Sequence, residues 1–317
     1  WNWINSSCPP VSGECRGTLL STCGSYPTSS VPTNWFGFQY PRTGNNYVCF
    51  LTIFGIPPTV SNDRTYLKGQ LNSTLQMGKN YCLSFYYNAA NIIQYASDRF
   101  GAYVDNNLIS GYDCCNDIPV TPQVQNTPGI FMTDTMNWVR IQGVFTAIGN
   151  ENSITLGNFV DSATIQFQLF NGSAANGFYY MIDDVSLIPM DLIPFAGKDT
   201  TIVLGDSVYI GRPGEVGLDD DCFWHVLGNS TPFDTVAGLW VKPPALGSYS
   251  YVLMQDICGT ISYDTVTVTV TPNDVPEFKR GSRFLVYPNP NSGQLYISCS
   301  SIIDKELFVE IHDITGR

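Results

Sequence analysis

Tyr81-Cys82-Leu83-Ser84-Phe85-Tyr86-Tyr87 is a short, aromatic-rich apolar run that opens after Gly78 and Asn80 and closes at Asn88. Bounded runs of this kind read as β-strands, and helical periodicity is almost absent from the chain. The same reading extends to 138–145, 164–170 and 178–182. Several such strands separated by turn residues predict a β-sandwich. Only Ile92 to Phe100 reads differently, as a short helix or turn.

Composition agrees. The chain has 317 residues, a length that accommodates two or three domains. Hydrophobic residues make up 44%, enough to bury real cores, while charged residues are only 13%. A net charge of -12 repels a phosphate backbone and argues against nucleic acid as a partner. An acidic surface suits solubility outside a cell. No apolar run reaches membrane-spanning length, so no transmembrane segment is expected. No signal peptide is visible, and an exported chain is then expected to be the mature form or a fragment.

Ten cysteines are present, with no zinc-like spacing near the two histidines, His225 and His312. They read as disulfides of an oxidising compartment. The adjacent Cys114 and Cys115 are expected to have separate partners.

Pro189 to Phe195 reads as a boundary. The block from Ala196 to Thr271 carries strands at 201–204, 207–210, 222–226, 249–253 and 265–270. About seven strands in about 75 residues is immunoglobulin-like arithmetic. Cys222, two residues before Trp224, is expected to pair with Cys258 across the two sheets, with Trp224 in the core. Pro272 to Arg283 reads as a linker, and a third, partial unit starts at Phe284.

The segment Leu285-Val286-Tyr287-Pro288-Asn289-Pro290-Asn291-Ser292-Gly293, with Asp313-Ile314-Thr315-Gly316-Arg317, resembles the C-terminal sorting domain of Bacteroidota type IX secretion substrates. Ala196 to Val208 resembles the start of immunoglobulin-like (PKD-like) repeats in surface proteins of that phylum. The run from Asn34 to Gly44, Gly78 to Tyr81 and Tyr180 to Leu187 resembles a galactose-binding-like jelly roll. These resemblances imply an all-β chain: a jelly-roll β-sandwich over 1–190, an immunoglobulin-like sandwich over 195–271 and a partial third β-sandwich over 284–317. They also imply an extracellular or outer-surface location and the type IX machinery as a partner.

In related carbohydrate-binding modules an acidic pair like Asp183-Asp184 helps to hold structural calcium. Two carboxylates are not a site by themselves, and a solvated strand-edge turn is the competing reading. Asp219-Asp220-Asp221 reads as a solvated acidic loop before it reads as a metal site. Trp1, Trp3, Trp35, Phe36, Tyr40, Tyr95 and Tyr112 could stack on sugar rings, although core packing is the default for any one of them. In the same phylum, Asp followed by Ser or Thr marks O-glycosylation, which points to Thr135, Ser162, Thr200, Ser207, Thr235 and Thr265. Asp-Thr-Val also starts strands, as a turn followed by a β-branched residue. The N-x-Ser/Thr sequons at Asn5, Asn72, Asn171 and Asn229 are weaker signals.

No G-x-S-x-G, P-loop or G-x-G-x-x-G occurs, and no carboxylate pair stands out, so the chain is not expected to be an enzyme. The sequence predicts a structural or adhesive surface protein that contacts other surface proteins or copies of itself, with assembly into a fibre as one form. The other reading is a carbohydrate-binding module with polysaccharide as partner.

Overall fold

The computed structural model describes residues 2–4, 17–55, 57, 59–60, 64–109, 118–170, 177–214, 217–273, 284–287 and 293–299. The sorting-type turn at Pro288 to Ser292 and everything from Ser300 onward lie outside them, as do Asn5, Asn171 and His312. The protein is all-β, built of antiparallel sheets that stack into sandwich-like units. The one helical element among the described residues is a 3-10 turn over Asp219–Asp221. No described helix is long and apolar enough to cross a membrane.

Strands β1 (Asn2–Ile4), β2 (Gly17–Ser21), β3 (Thr33–Asn34), β4 (Gly37–Phe38), β5 (Asn46–Phe54), β6 (Tyr66–Gln70) and β7 (Asn80–Ala89) come first. They are followed by β8 (Tyr95–Ser97), β9 (Gly101–Asp105), β10 (Val124–Gln125), β11 (Val139–Thr146), β12 (Ser153–Gly157), β13 (Phe167–Leu169) and β14 (Gly177–Pro189). Two five-stranded sheets result, ordered β1-β6-β12-β9-β10 and β11-β7-β14-β5-β2. The expected helix or turn over Ile92 to Phe100 is instead partly strand: β8 pairs with β13, because Ala96 and Ser97 are buried and their backbone N–H and C=O groups need partners.

Strand β7 explains the rest. Period-two alternation sends Tyr81, Leu83, Phe85, Tyr87 and Ala89 into the core between the two sheets. The alternate residues Cys82, Ser84, Tyr86 and Asn88 face away from that core yet are also buried. Something must cover that second face, and the next unit does so.

That unit contains β15 (Thr200–Val203), β16 (Val208–Gly211), β17 (Cys222–Val226), β18 (Gly238–Val241), β19 (Gly247–Ile257) and β20 (Thr260–Thr271). They form a four-stranded sheet, β15-β20-β19-β17, facing a two-stranded sheet, β16-β18. Strand β15 joins β20 in parallel; the other pairs are antiparallel. The described strands number six, where the spacing predicted about seven. Trp224 is fully buried, as expected, and its indole N–H donates to Val236 O at 2.9 Å. The second core also takes in Cys82 and Ile188 of the first unit, so the apolar contact is continuous from one sandwich into the other.

The expected Cys222–Cys258 bond is not formed. Cys258 is bonded to Cys82, 176 residues away and in the other sandwich. Cys222 stands opposite Gln255 on β19, and Cys258 lies in the turn that ends β19, so both belong to one sheet and a bond between them would not staple two sheets together. Cys222 is a buried free thiol, which burial pushes up to about 12. Past a polar segment, β21 (Phe284–Tyr287) and β22 (Tyr296–Cys299) pair as a two-stranded ladder.

Candidate functional site

The hairpin of β3 and β4 alternates sharply. Asn34, Phe36 and Gln39 are buried, while Trp35, Phe38 and Tyr40 are 54%, 55% and 60% exposed. The buried residues are anchors. Asn34 Nδ2 donates to the Tyr47 hydroxyl at 3.0 Å, and its Oδ1 accepts the Phe36 N–H at 2.9 Å. Phe36 packs on Tyr179. Gln39 Nε2 donates to Met136 O at 3.3 Å. Gly37 has φ +130°, and a Cβ there would meet Asn91 Oδ1 at 1.9 Å, so glycine is required at this corner. Asn91 Oδ1 instead accepts the Phe38 N–H at 2.8 Å.

The exposed side chains form a platform. Phe38 and Tyr40 meet edge to face at 5.4 Å. Trp35 N–H donates to Pro27 O, which brings the loop of exposed Tyr26 alongside. Trp138 supports the other end by donating its indole N–H to Tyr40 O at 3.0 Å. Large exposed aromatics on a pinned backbone offer apolar rings with little backbone left to order on binding.

Directly after the platform, Arg42 begins a charged clamp on the second face of β7. Its guanidinium lies 3.7 Å above the Tyr86 ring centroid and donates to Asp184 Oδ2 at 2.6 Å and to Asp220 Oδ1. The Tyr86 hydroxyl donates to Asp220 Oδ2 at 3.0 Å. Burial, with the Asp220 charge added, pushes that phenol up to about 12. Next to it, Arg140 on β11 forks onto both oxygens of Asp221, at 2.5 and 2.9 Å, and reaches Ser84 Oγ at 3.3 Å. With the Cys82–Cys258 bond beside them, these pairs hold the two sandwiches in one arrangement.

The acidic triplet is therefore neither a solvated loop nor a group of metal ligands. Asp219 Oδ1 accepts the Ala237 N–H within its own unit, while Asp220 and Asp221 reach the first. Asp183 and Asp184 sit where the β14 register shifts, with Asp184 at φ +48°. Asp183 Oδ2 accepts the Arg42 N–H at 2.8 Å, and Asp184 Oδ1 accepts the Thr43 hydroxyl at 2.5 Å. Calcium requires six to eight oxygens. Here a guanidinium already stands against the pair, and no group of three or more possible metal-binding side chains occurs among the described residues. The described residues do not fit calcium.

Of the aromatics named from sequence, Trp35 and Tyr40 are on the platform, Phe36 is a core anchor and Tyr95 packs against the core. Trp1, Tyr112 and the Trp3 side chain lie outside the described residues. Phe38 escaped the sequence reading, although its spacing from Tyr40 was visible. Arg42, Tyr86 and Arg140 also escaped it. An arginine inside the apolar run 138–145 was the available signal.

Among the six Asp-Ser/Thr positions, Ser207, Thr235 and Thr265 are exposed, and Thr135, Ser162 and Thr200 are half-buried. The preceding aspartates are hydrogen-bonded: Asp134 and Asp161 accept the N–H two residues on, as in turns, Asp234 and Asp264 accept that of the next residue, and Asp199 accepts the Thr267 N–H across the parallel β15-β20 pair. Asn72 and Asn229 are exposed.

No family model and no curated protein matches the chain. Solved structures with some likeness include a xylan-binding domain and adhesin domains. The CBM22-1 xylan-binding domain of Paenibacillus barcinonensis Xyn10C is 14% identical, covering 47% of this chain and 74% of its own at a TM-score of 0.26. The adhesin domain of Epf from Streptococcus pyogenes is 10% identical, with 72% and 77% covered and a TM-score of 0.24. The K3 cleaved adhesin domain of Lys-gingipain from Porphyromonas gingivalis W83 is 14% identical, with 55% and 93% covered and a TM-score of 0.27. Likeness this distant carries nothing about ligand or activity.

Proposed function

We propose that the chain is a non-catalytic adhesive protein of the bacterial exterior that makes contact with saccharide through its first sandwich. On this reading the first unit is a galactose-binding-like jelly roll, the second an immunoglobulin-like spacer and the third part of a type IX sorting domain. The observation that carries the reading is the alternation at 34–40, which buries Asn34, Phe36 and Gln39 and leaves Trp35, Phe38 and Tyr40 open to solvent. Sugar rings present apolar C–H faces that stack on such side chains. The Cys82–Cys258 bond supports an oxidising location and fixes the platform on a two-sandwich stem. Glycosylation at the exposed Ser207, Thr235 and Thr265 belongs to the same reading, and mass mapping of native peptides tests it.

Retention on immobilised polysaccharides tests the function. At least one of a broad panel should retain the wild-type chain, and Trp35→Ala with Tyr40→Ala should reduce retention tenfold or more without lowering the melting temperature. Failure of every polysaccharide to retain the wild type would remove the reading. Assembly into a fibre is a second reading, favoured by the exposed Val286, Tyr287 and Tyr296 on the β21-β22 ladder, an apolar surface that another copy could cover. Negative-stain images of native material showing regular fibres would support it, and isolated rods would sink it.

A further inference from the structure

The second sandwich has a groove of its own. It occupies about 360 Å³ between β17, the last strand of the four-stranded sheet, and β18, and its lining includes Trp240, Phe233, Asp234, Lys242, Tyr251 and Val226. Strand β18 points Val241 inward and Trp240 outward, and Trp240 is 69% exposed. The outward position leaves most of the largest apolar side chain open to solvent. The indole is nevertheless positioned: it stands opposite Tyr209 on β16, and the rings meet edge to face at 5.7 Å. The opposite wall is fixed too. Phe233 N–H donates to Trp224 O at 2.8 Å, Trp224 N–H donates to Asp234 O at 2.9 Å, and the Phe233 ring sits edge-on to Tyr251 at 5.9 Å. The Lys242 ammonium has no ion pair or hydrogen bond to any described residue.

The geometry points to a second saccharide-binding site here, with Trp240 as the stacking surface and Asp234 and Lys242 as the groups that meet hydroxyls. This rests on the reading of the chain as a saccharide-binding adhesin. An aromatic floor beside one acceptor and one donor matches the amphipathic faces of a sugar ring. An incoming peptide strand fits less well. The β17 edge is already taken at Trp224 by Phe233 and Asp234, and β18 offers only four residues.

Calorimetric titration of the intact, oxidised chain tests this, with cellohexaose, mannohexaose, chitohexaose and oligogalacturonate as probes. Expected are two sites per wild-type chain summed over the probes, one in Trp35→Ala, one in Trp240→Ala and none in the double variant. Trp240→Phe should keep the second site with affinity reduced several-fold. Both tryptophans are exposed, so melting temperatures should be unchanged. Binding abolished by Trp35→Ala alone would overturn the second site and leave the adhesin reading standing. Binding abolished by Trp240→Ala alone would keep the groove and sink the platform, and no binding at all would overturn both. Sedimentation velocity adds one further outcome: self-association lost in Trp240→Ala would show that the groove receives a second copy, which overturns the proposal.

Discussion

Arg140 and Asp221 are 81 residues apart in sequence and meet through two charge-assisted hydrogen bonds, with the Asp221 side chain only 4% exposed. The pair joins the outer face of the first sandwich to the loop that opens β17 of the second. Burial raises the Asp221 carboxyl, and the Arg140 guanidinium opposes that shift. Arg140→Ala leaves the acid buried without its fork, which should cost about 3–5 kcal/mol. Arg140→Ala with Asp221→Asn should recover part of the loss, and urea denaturation measures both. A double-variant loss equal to the sum of the separate Arg140→Ala and Asp221→Asn losses would mean that the pair is not coupled.

The Cys82–Cys258 bond spans 176 residues and ties β7 to the turn between β19 and β20. Cross-links of long loops restrict the unfolded chain, so Cys82→Ala with Cys258→Ala should lower stability by about 2–5 kcal/mol. Small-angle scattering should then report a wider spread of lengths once Arg42→Ala is added, because the ion pairs hold the arrangement when the bond is gone. An unchanged profile in that triple variant would show that apolar contact and the Arg140–Asp221 pair suffice to fix the two units.

Gly217 stands at φ +84°, and a Cβ there would lie 2.1 Å from both Cβ and Oγ of Ser186 on β14. Gly217→Ala therefore combines backbone strain with a clash between the two sandwiches, at a cost of about 1–3 kcal/mol. Adding Ser186→Gly should relieve the clash and leave the strain. A thermal melt of the three variants separates the two contributions, and a Gly217→Ala melt identical to wild type would rule out the close approach.

Asp183 gives a pH signature. Burial, its largest cause, holds the carboxyl up at about 6; the Arg42 N–H pulls the other way and the Asp184 charge adds to the rise. The unfolded carboxyl titrates at about 3.9. The folded chain thus keeps a proton that the unfolded chain has lost, so this contribution is full below about pH 4 and fades as pH rises through about 6. The melting temperature of wild type minus that of Asp183→Asn should fall across that window and level off above it. A flat difference would mean that the carboxyl is not held up.

The outcome at Asp219-Asp220-Asp221 shows where sequence reading stops. Three successive acids signal a negative loop, and nothing local reveals that Arg42, Tyr86 and Arg140 wait for them across a sheet. The same holds for Cys222. Its spacing to Trp224 suggested a staple, but a staple needs two sheets, and Cys258 lies in the β19–β20 turn of the sheet that holds Cys222.

What the residues determined unaided is the all-β class, the strand over Cys222–Val226 to the residue, the buried Trp224 and the aromatic segment after Asn34. Those features depend on alternation and turn chemistry, which act over a few residues. Tertiary structure alone decided which side chains of that segment stay open, which cysteine Cys258 meets and what covers the second face of β7. Period two fixes that neighbouring side chains point opposite ways, but what each face meets depends on the path of the chain between strands, and that path is set by the packing of the whole.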